Sequence, residues 1–172
     1  DYESVLAGSN FSQANFNSAN LTKTKMVGVI AKSANFMNAN LTHSDLTQSN
    51  FREANFAKAK LPRAKAQIDR MHGFQADFTA ANFSGADLTK ARLTGTFKNV
   101  SFRNASLRDA ILQSRPTPKQ QKMWLNADFT NADLTGADIG GRGSLRGSGK
   151  QVHDDVMQQA KFCRTKMPDG TV

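Results

Sequence analysis

From Phe11 to Met71 the chain reads FSQAN FNSAN LTKTK MVGVI AKSAN FMNAN LTHSD LTQSN FREAN FAKAK LPRAK AQIDR M, in blocks of five residues. Most blocks open on Phe or Leu, and the residue two positions earlier is usually Ala, Ser or Thr. Asn or Asp commonly stands between the two. Neither an amphipathic helix, with a period of about 3.6 residues, nor an alternating strand, with a period of about two, produces this spacing. The fixed period therefore predicts a repeat architecture.

Five residues suit one side of a square coil whose apolar residue points inward. The small residue two positions earlier would also point inward, and Asn or Asp would stabilise the turn through its side chain. Four sides make a coil of 20 residues, the interval that separates Phe16, Phe36 and Phe56, and likewise Leu21, Leu41 and Leu61. Successive coils would pair as parallel strands about 4.8 Å apart. The stacked apolar residues would fill the interior and leave no channel for a ligand.

The motif Ala-(Asp/Asn)-(Leu/Phe)-x-x resembles that of the pentapeptide-repeat family and recurs along most of the chain. Every Phe except Phe74 occupies its apolar position. The resemblance implies an all-β fold, a right-handed quadrilateral parallel β-helix built from 20-residue coils of four pentapeptides. We predict a single domain over residues 1–172, with an insertion loop at 113–125, a Gly-rich loop at 140–150 and a C-terminal cap at 151–172.

The period breaks three times, and counting from Phe11 places all three breaks at one corner of the coil. Two residues are inserted before Phe78, one is missing before Phe97, and twelve are inserted before Phe129. On this count all three Phe residues continue the column of Phe16. The corner between the columns of Phe11 and Phe16 is therefore predicted to hold every insertion.

The longest insertion, Gln113–Leu125, reads QSRPTPKQQKMWL and predicts a short helix near residues 118–125. Thr117 is a suitable N-cap, Pro118 a suitable first helical residue, and Gln120 completes a capping box. The Gly-rich stretch at 140–150 reads GGRGSLRGSGK. It has the spacing of neither the P-loop nor the dinucleotide-binding motif, so we interpret it as a flexible loop.

The sequence offers no catalytic or metal-binding constellation. The histidines, His43, His72 and His153, are far apart and occupy different positions of the repeat, which argues against a metal cluster. Cys163 is the only cysteine, so an intrachain disulfide cannot form. We therefore predict that the protein is not an enzyme and has no cofactor or small-molecule substrate.

The chain is basic, with 23 Lys and Arg, 14 Asp and Glu, and a formal net charge of +9. Such a surface attracts nucleic acid, an anionic membrane or an acidic protein, although a solvated face without a partner has the same composition. Some members of the resembled family imitate a DNA duplex and bind DNA gyrase, but those rods are acidic. Nucleic-acid binding or gyrase interaction as a DNA mimic is the alternative hypothesis, and the net charge of +9 disfavours it. No apolar run approaches the roughly 20 residues of a membrane span, which leaves peripheral membrane contact open.

The predicted corner gathers basic and apolar residues from the insertions. They are Arg70, His72, Phe74, Arg115, Lys119, Lys122, Met123 and Trp124. Trp and Arg are enriched at binding hot spots, so we predict a protein–protein interaction or assembly protein that docks through this corner into a larger complex. Replacing Trp124 would then leave the fold intact and weaken binding by about 2 kcal/mol or more. Alternatively, Trp124 and Phe74 fold down onto the coil and seal the corner.

The stretch Phe162–Thr171, FCRTKMPDGT, resembles the terminal repeat C-x-T-x-M-P-D-G of cyanobacterial and chloroplast members. The resemblance implies the thylakoid lumen of a chloroplast or a cyanobacterial origin, and binding to a photosynthetic membrane complex; a soluble protein elsewhere is the alternative. The residues Pro168-Asp169-Gly170 are expected to turn the chain away from the last coil and to end its pairing. The sequence begins at Asp1 rather than at Met, which is consistent with proteolytic processing and equally with trimming of the sequence.

Overall fold

Each side of the coil ends in a β-turn, which gives the sequence its five-residue period. In a computed structural model that describes residues 6–67, 74–113, 124–139 and 160–172, the amide of Ala14 donates to the carbonyl of Phe11 at 3.0 Å. The third residue of that turn, Gln13, has a φ of 63°. A positive φ at this position is typical of a type II turn, and the same arrangement recurs in the blocks that follow.

The Asn or Asp before each apolar residue stabilises the turn that follows it. Asn10 Oδ1 accepts hydrogen bonds from the Ser12 amide at 3.0 Å and from the Ser12 hydroxyl at 2.7 Å. Asp45 Oδ1 accepts the corresponding pair from Thr47, at 3.1 Å and 2.5 Å. These Asx turns are the role predicted for the polar position. They also explain why Ser and Thr are frequent two residues further on.

Successive coils pair in parallel through short strands and isolated bridges. The strands are β1 Lys65–Ala66, β2 Ala76–Asp77, β3 Arg92–Thr96, β4 Ile111–Gln113, β5 Ala127–Asp128 and β6 Ala160–Lys161. Strand β3 pairs with β1, β2 and β4, and β5 pairs with β6. Elsewhere single parallel bridges join the coils, such as Asn15 to Asn35 and Asn35 to Asn55. No helix occurs among the described residues, and the predicted fold, an all-β quadrilateral parallel β-helix, is confirmed.

Four columns of inward side chains fill the coil, and each is named by its first described member. The Phe16 column contains Phe16, Phe36, Phe56, Phe83, Phe102, Phe129 and Phe162, with neighbouring ring centroids 4.7–5.3 Å apart. The Phe11 column contains Phe11, Ala31, Phe51, Phe78, Phe97 and Trp124. The Leu21 column contains Leu21, Leu41, Leu61, Leu88, Leu107, Leu134 and Met167, and the Leu6 column contains Leu6, Met26, Leu46, Ala66, Leu93, Leu112 and Ile139. Most of these side chains are fully buried, so the interior is packed with protein atoms.

In the described coils the period breaks at a single corner, but that corner lies one side earlier than the sequence count placed it. Phe78 stacks on Phe51 at 5.6 Å, and Phe97 stacks on Phe78 at 5.4 Å. The prediction that Phe78 and Phe97 continue the Phe16 column is therefore wrong, because both continue the Phe11 column. Phe129 does lie in the Phe16 column, stacked on Phe102. An insertion of two residues and one of seven leave the five-residue period in the same phase. Counting along the sequence therefore cannot tell whether five residues form a side of the coil or belong to the inserted loop.

Two serines at equivalent inward positions, Ser44 and Ser49, differ in their hydrogen bonds. The Ser49 hydroxyl donates to the Met26 carbonyl and accepts from the Val29 amide at 3.1 Å. It therefore bridges the two ends of a turn in the neighbouring coil. The Ser44 hydroxyl is fully buried and has no hydrogen-bond partner in the described part of the chain.

Alanine substitutions at these two serines are expected to change stability in different directions. Ser49→Ala leaves the Met26 carbonyl and the Val29 amide without their partner, which should lower the free energy of unfolding by about 1–3 kcal/mol. Ser44→Ala removes an unsatisfied hydroxyl, so the free energy of unfolding should stay unchanged or rise by about 1 kcal/mol. Urea unfolding of both variants makes each the control for the other. Equal losses at the two sites would contradict the hydrogen bonds assigned to Ser49.

Candidate interaction surfaces

The insertion corner, which lies between the Leu6 column and the Phe11 column, is where the chain departs from the regular coil. Each departure whose two ends are described begins just after a member of the Leu6 column, namely Ala66, Leu93 or Leu112. Seven extra residues follow Ala66 and Leu112 before the next inward residue, and one residue is missing after Leu93. The other corners keep the five-residue spacing throughout the described coils. The insertion corner is therefore the irregular part of an otherwise regular surface.

Two of the predicted contact residues at this corner, Phe74 and Trp124, belong to the described chain. Phe74 lies just before β2, and its side chain is 63% exposed. The others, Arg70, His72, Arg115, Lys119, Lys122 and Met123, lie outside the described residues. Most of the predicted helix at 118–125 also lies outside them, and its last two residues are in a turn. The Gly-rich loop at 140–150 is likewise outside the described ranges.

Trp124 is part of the core and not of the outer surface. Its ring stacks on Phe97 at 5.2 Å, packs edge-on against Phe129 at 5.3 Å and is only 2% exposed. Its Nε1 donates to the Ile139 carbonyl at 3.0 Å. The expectation that Trp124 contacts a partner needs correction, because its ring is buried and cannot be reached by another protein. The alternative that it folds down onto the coil describes Trp124, whereas Phe74 remains exposed.

The signal that identifies Trp124 as a core residue is present in the sequence. It stands five residues before Phe129, the spacing of two successive inward positions. The Pro residues earlier in the insertion interrupt the repeat, and for this reason the sequence assigns Trp124 to the loop.

On the outer faces, arginines pair with aspartates of the next coil. The ion pairs are Arg52–Asp77 at 3.3 Å, Arg103–Asp128 at 3.1 Å and Arg108–Asp133 at 3.1 Å. Burial raises the pKa of Asp128, but hydrogen bonds from Thr130 and Arg103 outweigh burial and hold the pKa below its ordinary value. The pKa of Asp133 is lowered by the same balance of causes. Both carboxylates are therefore ionised at neutral pH and hold turns and neighbouring coils together.

The described residues contain no group of side chains that could hold a metal ion. His43 is exposed on the outer surface, whereas His72 and His153 lie outside the described ranges. Cys163 is an exposed free thiol. Within the ranges that the structure describes, no helix is long and apolar enough to cross a membrane.

The five-residue sides and the four filled columns define a solenoid, a parallel β-helix. The family model for pentapeptide repeats matches residues 3–30, 34–67 and 75–95 in eight copies, and the chain belongs to this family. No curated protein matches the chain.

Several solved structures are similar to the chain at low sequence identity. The pentapeptide-repeat protein Rfr23 from the cyanobacterium Cyanothece 51142 is 14% identical, with a TM-score of 0.46, over 98% of this chain and 90% of that one. QnrB1, a plasmid-mediated fluoroquinolone resistance protein, is 16% identical, with a TM-score of 0.41, over 98% and 85%. A pentapeptide-repeat protein from the Arabidopsis thaliana thylakoid lumen is 18% identical, with a TM-score of 0.27, over 90% and 88%.

Proposed function

We propose that this chain is a non-enzymatic protein–protein interaction protein, a subunit or assembly factor that docks into a larger complex through the insertion corner. Two features support a role carried by the outer surface. The interior is filled by stacked apolar side chains. The ionised carboxylates of Asp128 and Asp133 accept hydrogen bonds from turn residues and from arginines, so they stabilise the coil. The terminal repeat at 162–171, which resembles that of chloroplast and cyanobacterial members, favours the thylakoid lumen and a photosynthetic membrane complex.

The observation that carries the proposal is that the three departures with both ends described, after Ala66, Leu93 and Leu112, all fall at one corner. Insertions at random would fall on all four corners, because each turn lies on the surface and each tolerates extra residues. Confinement to one corner builds a single irregular patch on a regular rod. Phe74 lies in that patch and is 63% exposed, one of the few large apolar side chains that the described surface presents. Exposed aromatic side chains are typical anchors of protein interfaces.

The test compares Phe74→Ala with a matched variant, Ile30→Ala. Ile30 is also apolar and exposed, at 41%, on the same corner but in a coil without an insertion. Phe74→Ala should weaken complex formation by about 2 kcal/mol, whereas Ile30→Ala should leave it unchanged. Size fractionation of the native extract measures the complex, and circular dichroism checks that both variants fold.

Cross-linking mass spectrometry of the same fractions locates the docking face. The proposal expects links from Lys119 or Lys122 to another protein. Lys58, which lies near the diagonally opposite corner, should give none and is the control. A chain that runs as a monomer with only internal cross-links would contradict the proposal, and so would equal effects of the Phe74 and Ile30 substitutions.

A further inference from the structure

A second corner of the coil, between the Leu21 column and the Leu6 column, carries two rows of outward residues with a strong excess of cations. The basic edge is formed by six exposed side chains, Lys23, Lys25, Arg63, Lys65, Lys90 and Arg92. In each coil the two members of a pair flank an inward small residue, so both project outward from the same corner. Row partners in successive coils are joined by parallel bridges, as between Asp45 and Lys65 and between Lys65 and Arg92.

The basic edge differs from the other outer faces in how its charges are arranged. On the other faces three arginines each meet an aspartate of the next coil, as in the pair Arg103–Asp128 at 3.1 Å. Along the basic edge Lys65 is instead in direct register with Arg92. The first four coils of these two rows contain a single carboxylate, Asp45, which pairs with Lys65 at 3.1 Å. Among the described residues no carboxylate forms an ion pair with Arg63 or Arg92.

Like charges in register on neighbouring strands repel each other and destabilise the pairing. The pair Lys65 and Arg92, in register within the basic edge, therefore lowers stability unless an anion binds there. We infer that the basic edge is a docking surface for an acidic, extended polypeptide segment of a partner protein. The inference rests on the proposed function and deepens it, because it names the chemistry of the partner and a second contact surface.

The dimensions of the basic edge fit such a segment. Four coils are separated by three intervals of about 4.8 Å, roughly 14 Å in all, which corresponds to about four or five residues of extended chain at about 3.3 Å per residue. Alternate side chains of that segment point the same way, so carboxylates at every second residue would follow the edge. The guanidinium groups of Arg63 and Arg92 suit carboxylates because each can form two parallel hydrogen bonds.

The surroundings of the basic edge favour a polypeptide over nucleic acid or a membrane. Single-stranded nucleic acid is bound through aromatic side chains on which bases stack, and a membrane surface through apolar side chains that enter it. The large apolar side chains exposed in the described chain are Ile30, Phe74 and Val172. None of them belongs to the edge, which offers charge and hydrogen-bond donors alone.

The test measures binding of a labelled peptide of about eight residues with alternating Glu and Ser to the full chain by fluorescence anisotropy. The variant is Arg63→Glu with Arg92→Glu. The control is Lys58→Glu with Lys32→Glu, which makes the same charge change on other parts of the surface. Each pair contains one residue of positive φ, Arg63 at 56° and Lys58 at 58°, so backbone effects are matched. The edge variant should bind at least about tenfold more weakly and the control within about twofold of the wild type.

Three results would overturn the inference. The first is no binding of the peptide by the wild type, and the second is an equal loss in both variants, which would reflect net charge alone. The third is tighter binding of an oligothymidylate or of phosphatidylserine vesicles than of the peptide, with loss in the edge variant. The neutral variant Arg63→Gln with Arg92→Gln, at intermediate affinity, keeps the test valid if charge reversal disturbs folding. Phe74→Ala should bind the peptide like the wild type, so failure at the insertion corner and failure at the basic edge are distinguishable.

Discussion

Replacing Trp124 by alanine is expected to lower the free energy of unfolding by about 3–5 kcal/mol. The indole is 2% exposed and stacks on Phe97 at 5.2 Å, so its removal leaves a cavity at the point where the Phe11 column resumes after the insertion that follows Leu112. It also packs against Phe129, and its Nε1 is a hydrogen-bond donor to Ile139. The substitution therefore removes packing from two columns and leaves a carbonyl without this donor.

Urea unfolding followed by far-ultraviolet circular dichroism measures this loss. Trp124→Phe is the matched control, because Phe occupies most other positions of the Phe11 column and would keep the ring stack. We expect that control to lose less than about 1.5 kcal/mol. A Trp124→Ala variant as stable as the wild type would show that the ring lies outside the column and would restore it as a candidate partner contact.

Gly95→Ala is expected to lower the free energy of unfolding by about 2–3 kcal/mol or more. Gly95 lies in β3, opposite Ala76 of β2, on the side of the coil that is one residue short. A Cβ at this position would stand 2.7 Å from the Ala76 carbonyl oxygen and 3.0 Å from the Phe78 ring. The carbonyl belongs to the paired backbone and cannot move aside cheaply, so the strands must separate.

Gly85→Ala is the control that distinguishes the effect of a steric clash on stability from the effect of the positive φ that glycine tolerates. Gly85 has a φ of +67°, but a Cβ there would meet only Lys58 Cγ, at 3.5 Å. We expect a loss of about 1 kcal/mol, the cost of a left-handed backbone for a residue with a Cβ. Thermal and urea unfolding of the two variants would contradict the explanation if Gly85→Ala were the more destabilised.

The local chemistry of the repeat determines what the sequence predicts well. The inward direction of Phe and Leu and the turn role of Asn and Asp follow from one block of five residues, so they survive any error in counting. The 20-residue coil is also predicted, because Phe16, Phe36 and Phe56 precede the first insertion.

Beyond the first insertion the sequence count loses the assignment of columns. Lys65 and Arg92 are in register although 27 residues separate them, and Phe78 and Phe97 are stacked although only 19 do. The residues that share a column are determined by the point at which the backbone resumes pairing with the previous coil. The phase of the five-residue period does not indicate that point. The sequence count does not predict the basic edge, because Arg63 and Lys90 come together only when the residues inserted between them are assigned to the loop.

Confinement of irregularity to one corner has a consequence for how such chains can diversify. In the described coils the lengths of the loops at that corner are uncoupled from the register of the other corners, as the continuous stack of rings from Phe16 to Phe162 demonstrates. New sequence can be grafted at this seam, coil by coil, at intervals of about 4.8 Å, without redesigning the packed interior. The β-helix is therefore a scaffold with regularly spaced loop sites, at which recognition loops can be lengthened, exchanged or multiplied without changing the core.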